Sequence, residues 1–118
     1  MLMEQRKDAR FDVQFRSSFS SANVVSGEGT LSDLSIRGCC VFSLIEVKPG
    51  TALQLRVHAS DHEPPILVSQ ALVRWVRSSS FGCEFVNLSP DEWARLHYAV
   101  KELEMQPFQR ERQDSEEA

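Results

Sequence analysis

Residues 30–45 read TLSDLSIRGCCVFSLI. Two segments of strand-like composition, 30–35 and 39–45, flank Gly38, which predicts two strands joined by a bend or a positive-φ turn at the glycine. In the first segment Asp33 stands at the strand end and Ser35 follows two residues on. Strand geometry would turn both to one side, with Leu34 between them facing the core. A carboxylate and a hydroxyl side by side make a surface rich in hydrogen-bond acceptors. In the second segment Cys39 and Cys40 are adjacent, so a regular strand must turn one of them outward. A turn of type Asx or Ser at a strand end would account for the same residues, so the stretch alone leaves both readings open.

The same texture runs outward in both directions. Upstream, DVQFRSSF (12–19) alternates, with Val13, Phe15 and Phe19 to one side, the period of a half-buried strand. ANVVS (22–26) reads as a further strand and GEG (27–29) as a turn. Downstream, KPG (48–50) is a turn, and TALQLRVH (51–58) alternates through Leu53, Leu55 and Val57. A polar loop ASDHEPP (59–65) leads to a long strand ILVSQALVRWVR (66–77), a turn SSSFG (78–82) and a short strand CEFVNL (83–88). Short strands with turns between them predict a mainly β domain, either a small antiparallel barrel or a sandwich.

The period then changes. In SPDEWARLHYAVKELE (89–104), Ser89 is placed as N-cap, Pro90 at the first helical position and Glu92 three residues after the cap, the pattern of a capping box. Trp93, Leu96, Val100 and Leu103 form one apolar stripe. A helix with a single stripe must cover something, most simply an open end or face of the barrel. The polar tail at 105–118 reads as disordered.

With 118 residues, 42% hydrophobic and 25% charged, the chain is one domain with enough material for a core. Its net charge of −4 argues against a broad DNA- or RNA-binding surface. The sign is unevenly spread. Residues 1–16 hold four bases (Arg6, Lys7, Arg10, Arg16) and three acids, a net of +1, whereas residues 107–118 hold two arginines and four acids, a net of −2. An anion is therefore expected at the N-terminal end. Three cysteines without a CxxC pair fit a reducing, cytoplasmic setting rather than a disulfide framework. No apolar run approaches the roughly 18 residues of a membrane helix, and MLMEQRK is no signal peptide, so membrane insertion is not expected.

RKDAR (6–10) places Arg6 and Arg10 four apart, in a segment that is neither a good helix nor a strand. Guanidinium groups pair bidentately with phosphate oxygens or with guanine O6 and N7. The spacing alone decides nothing, because chance supplies it in roughly a quarter of chains this long. Joined to DLSIRG (33–38), it does. RxxxR followed by DxSxxG in a short-stranded domain resembles the PilZ family of bacterial cyclic di-GMP receptors. The strand pair ALVRWVRSSSFGCEF (71–85) and the terminal helix are also similar to the family, and the resemblance covers residues 4–104.

The resemblance implies a six-stranded antiparallel β-barrel with a C-terminal α-helix packed on it, spanning 1–104, with a flexible N-terminal arm at about 1–11. It further implies a cyclic di-GMP receptor without catalysis or a cofactor, whose arm closes on the ligand and signals to a partner protein. Arg6 and Arg10 would contact phosphate and base, Asp33 a guanine edge, Ser35 a phosphate, and Gly38 would shape the turn beneath. Lys7, Arg37 and Trp75 are further candidates, although Trp75 on an alternating strand is expected in the core. Arg37 stands where many relatives have a small residue. The alternative is a PilZ-like adaptor that binds protein and no nucleotide. His58, Asp61 and His62 lack a third strong ligand and read as an exposed loop, with no metal. Cys39, Cys40 and Cys83 read as small barrel residues. No GxSxG, HExxH or phosphate-cradling glycine loop indicates an enzyme.

Overall fold

The computed structural model describes residues 9–21 and 26–105. Six strands are followed by one helix: β1 (Phe11–Ser20), β2 (Ser26–Leu34), β3 (Gly38–Phe42), β4 (Ala52–His58), β5 (Ile66–Arg77), β6 (Ser80–Asn87) and α1 (Pro90–Glu104). The strands close into an antiparallel barrel in the order β1-β2-β3-β6-β5-β4, with β1 pairing β4 to complete the ring. Closure leaves no sheet edge, and strand alternation sends one set of side chains inward. Leu31, Val41, Leu55, Val57, Val68 and Ala71 are fully buried there. Phe19 and Phe81 meet edge to face at 5.2 Å.

The alternating stretches become strands at or near the expected bounds, with two corrections. GEG is not a turn: Gly27 and Gly29 lie within β2. A β-carbon at Gly27 would press on Ile45 and Phe19, and one at Gly29 on the backbone of Phe42. Close packing, and not a chain reversal, explains these glycines. Residues 22–25 of the expected strand ANVVS lie outside the described residues. The SSSFG turn shrinks to Ser78 and Ser79, because β6 already begins at Ser80.

Helix α1 begins as its sequence predicts. The Ser89 hydroxyl accepts the Glu92 N–H, and Pro90 stands in the first turn. The stripe also holds: Leu96 is fully buried, and Trp93, Val100 and Leu103 pack against the barrel core. Glu92 serves a different purpose from the reciprocal half of a capping box. Its Oε1 accepts the N–H of Leu67 at 3.1 Å, while Arg95 donates to it at 3.2 Å and to the carbonyls of Pro64 and Pro65. The first helical turns are thereby bolted to the start of β5. Among the described residues no helix is long and apolar enough to cross a membrane.

Candidate functional site

The motif DLSIRG lies where β2 turns into β3. Strand β2 ends at Leu34, which is fully buried, and β3 begins at Gly38. The pairing of β2 with β3 slips between Leu31 and Asp33, so strict alternation fails just before the turn. Asp33 stays on the outer wall, partly exposed, but Ser35 does not join it there. Ser35 is past the strand end and 2% exposed. Its hydroxyl accepts the N–H groups of Arg37 (3.1 Å) and Gly38 (3.2 Å), and its own N–H donates to the Gly38 carbonyl at 2.9 Å. The expected shared face of Asp33 and Ser35 is thus corrected. The serine holds the turn that the aspartate borders, which is the work of a Ser turn.

Of the two alternatives read at Gly38, the bend holds, at residues 36 and 37, and the positive-φ turn does not. Among the described residues the glycine with positive φ is Gly50 (φ 90) in the KPG turn. Gly38 is required for another reason: a β-carbon there would fall on the carbonyl oxygen of Cys83 in β6. The Arg37 carbonyl in turn accepts the Phe85 N–H at 2.7 Å. The motif turn is therefore pressed against β6 through its backbone.

Arg10 immediately precedes β1, and the register Asp12↔Asp33 carries it alongside the end of β2. Its Nη1 donates to Asp33 Oδ1 at 2.6 Å. The two motifs, 23 residues apart in sequence, meet in one ion pair. Arg6 and Lys7 lie outside the described residues. Arg37 is exposed and lines a cleft of about 400 Å³ with Ile36, Glu84, Phe85, Trp93 and His97.

From Asp33 a row of outward positions crosses the wall: Asp33 pairs Cys40, Cys40 pairs Gly82, and Gly82 pairs Trp75. Trp75 is 38% exposed and not in the core. A register shift between Val73 and Trp75 breaks the alternation and lays the indole over Gly82, where a β-carbon would collide with it. The Arg77 guanidinium sits 5.0 Å from the indole centroid. The row is small in its middle and bounded by a carboxylate at one side and an aromatic face at the other. Such a surface suits a flat, polar-edged ring.

The cysteines divide as a strand requires. Cys39 and Cys83 are buried cross-strand partners, and Cys40 is on the outer side. The Cys39 thiol is held well above its usual range, first by its hydrogen bond with Cys83 and then by burial, which keeps it protonated and inert. No group of three or more metal-ligating side chains occurs among the described residues.

Two residues of this wall escaped the sequence reading. Glu84 pairs Gly38 across β3 and β6, and Arg74 donates to Glu84 Oε1 through Nε at 2.7 Å, with its Nη2 in ion-pair contact with the same oxygen at 2.5 Å. Both lie within ALVRWVRSSSFGCEF, but neither stands in the RxxxR or DxSxxG motif. Only the barrel register, which sequence periodicity does not supply, brings them beside the DLSIRG turn.

A family model described as the PilZ domain matches residues 4–102. Among solved structures, YcgR from Escherichia coli in complex with c-di-GMP superposes with a TM-score of 0.72 at 21% identity, covering 95% of this chain and 50% of that one. The isolated PilZ domain of YcgR with c-di-GMP gives 0.70 at 18%, covering 94% and 98%. The MrkH–c-di-GMP complex of K. pneumonia gives 0.69 at 15%, covering 87% and 53%. This chain therefore spans about half the length of YcgR and MrkH, and of the Bacillus subtilis motility inhibitor MotI (51%). Comparison with curated proteins finds no match. The RxxxR and DxSxxG motifs, the closed six-stranded barrel with its terminal helix, and the family match agree: the chain belongs to the PilZ domain family.

Proposed function

We propose that this chain is a cyclic di-GMP receptor with no catalysis of its own, which signals through its N-terminal arm to a partner protein. The observation that carries the reading is the 2.6 Å contact of Arg10 with Asp33, which joins the RxxxR and DxSxxG motifs at one edge of the barrel wall. The presence of c-di-GMP in the YcgR and MrkH structures supports it. In the proposed complex Arg6 and Arg10 grip phosphate and base, and Asp33 accepts the N–H groups of a guanine edge. Ser35 acts through the turn that its hydroxyl holds, and Gly38 keeps that turn seated on β6. Lys7 and Arg37 add positive charge, and Trp75 offers a ring face. Closure of the arm over the ligand changes the surface around residues 4–12, which a partner selective for the closed form reads. The three free cysteines fit a reducing, cytoplasmic setting.

Each hydrogen bond to a charged group is worth about 1.5–3 kcal/mol. Arg6→Ala and Arg10→Ala should each weaken cyclic di-GMP binding at least about tenfold in calorimetric titration. Wild-type affinity in both variants would remove the assignment. A folded wild-type chain that binds no nucleotide yet captures a protein would favour the adaptor reading. Amide exchange across residues 4–12, with and without ligand, tests whether the arm is the responsive part.

A further inference from the structure

The outer wall carries a second arginine–carboxylate pair of the same chemistry as Arg10–Asp33. Arg74 and Glu84, on β5 and β6, form it, and Glu84 is the register partner of the motif glycine. In both pairs the arginine engages one carboxylate oxygen, Asp33 Oδ1 or Glu84 Oε1. The other oxygen, Oδ2 or Oε2, has no hydrogen-bond partner among the described residues. The two carboxylates stand two strands and two residues apart, roughly 12 Å along the wall by sheet geometry. Between them lie Gly38 and Cys40, a hydrogen and a small side chain.

A guanine displays N1–H and N2–H donors on one edge and O6 and N7 acceptors on another. A carboxylate matches the first and a guanidinium the second. One such pair reads one guanine. Two pairs on one wall, separated by small residues, match a ligand that carries two. Resting on the cyclic di-GMP reading above, we propose that Arg74–Glu84 is the reader of the second guanine. Glu84 accepts the Watson–Crick N–H groups, and Arg74 orients the carboxylate and faces O6. Adenine in this position would turn the N1 lone pair toward the Glu84 carboxylate, so the pair also selects against a mixed dinucleotide.

The test compares cyclic di-GMP with mixed cyclic GMP–AMP, by calorimetric titration of the full chain and its Glu84→Ala and Arg74→Ala variants. The wild-type chain should prefer cyclic di-GMP by about tenfold or more, as a site left with unmatched polar groups rejects the wrong base. Glu84→Ala should bring the two ligands within about threefold of each other by losing affinity for cyclic di-GMP alone. Arg74→Ala should lose part of the same preference. Thermal unfolding of the variants checks that the barrel is intact. If Glu84→Ala binds cyclic di-GMP with unchanged preference, the second reader is refuted and the receptor reading stands. If the wild-type chain binds neither dinucleotide, both fall together.

Discussion

Arg10–Asp33 and Arg74–Glu84 are two ion pairs of one chemistry built in different ways. The first joins a residue just before β1 to the end of β2, across 23 residues of sequence. A single nitrogen makes it, from a residue that stands outside the strands. The second sits on adjacent strands of a tight hairpin, with one hydrogen bond through Nε and a second guanidinium nitrogen in ion-pair contact with the same oxygen. Its geometry is fixed by the barrel itself. One pair can therefore respond to a ligand while the other stands ready for it. That division suits the receptor proposed above, in which a rigid reader would define where the ligand lies and a pair at the arm would convert its arrival into a change of surface.

The sharpest way to break this comparison is at Gly38, which lies between the pairs. A methyl group there meets the Cys83 carbonyl oxygen, a backbone atom that cannot swing aside. Gly38→Ala must push β3 from β6 and alter the spacing between Asp33 and Glu84. Overpacking of this kind costs about 1–3 kcal/mol, and the rigid backbone contact places this case at the upper end. Denaturant titration should show the loss at an unchanged slope, and cyclic di-GMP affinity should fall with it. Wild-type stability would mean that the two strands have slack, and the rigid half of the comparison would fail.

The sequence made one pair visible and hid the other, for a physical reason. Asp33 and Arg10 belong to local patterns whose spacing is set along the chain, so they can be recognised without a fold. Glu84 becomes significant only through its pairing with Gly38, and Arg74 only through the β5–β6 register. Periodicity placed the strands well because core residues such as Leu53, Leu55 and Val57 alternate cleanly. It misplaced Trp75, which comes after the register shift at Val73/Trp75, and Ser35, which lies beyond the end of β2, where strand alternation no longer applies. A bulge adds a residue to one strand and turns the residues beyond it to the other face. The glycines of GEG misled differently, since crowding by Ile45 and Phe42 is a tertiary fact with no local trace.

A smaller effect separates the two pairs by stability instead of spacing. Ser35→Ala removes the acceptor of two N–H groups in the motif turn, those of Arg37 and Gly38, at a site that is 2% exposed. Leaving a buried donor unmatched costs about 1–3 kcal/mol, and the lower half of that range fits a turn in which the Gly38 N–H is buried, the Arg37 N–H is only partly so, and the Ser35–Gly38 backbone bond is retained. The turn borders Asp33 directly, whereas Glu84 is held from β5. Cyclic di-GMP binding should therefore weaken in Ser35→Ala while the contribution of Glu84, measured by adding Glu84→Ala, is unchanged. Loss of that contribution in the double variant would show that the second pair depends on the turn as much as the first.

The smallest expected effect concerns what the pairs do for the fold without ligand. Side chains of Arg10 and Asp33 are 37% and 28% exposed, and those of Arg74 and Glu84 are 58% and 40% exposed. Exposed ion pairs contribute about 0.2–1 kcal/mol, because water screens the charges and ordering long side chains costs entropy. Double-mutant cycles on thermal or denaturant unfolding should place Arg10–Asp33 toward the upper end of that range and Arg74–Glu84, the more exposed pair, toward the lower. Both couplings should shrink as salt is raised. If either pair instead coupled by several kcal/mol, it would be a structural strut of the barrel, and its removal could not be read as the loss of a ligand contact. Weak coupling in the folded chain, set against a strong effect on dinucleotide affinity, is what a pair held for recognition must show.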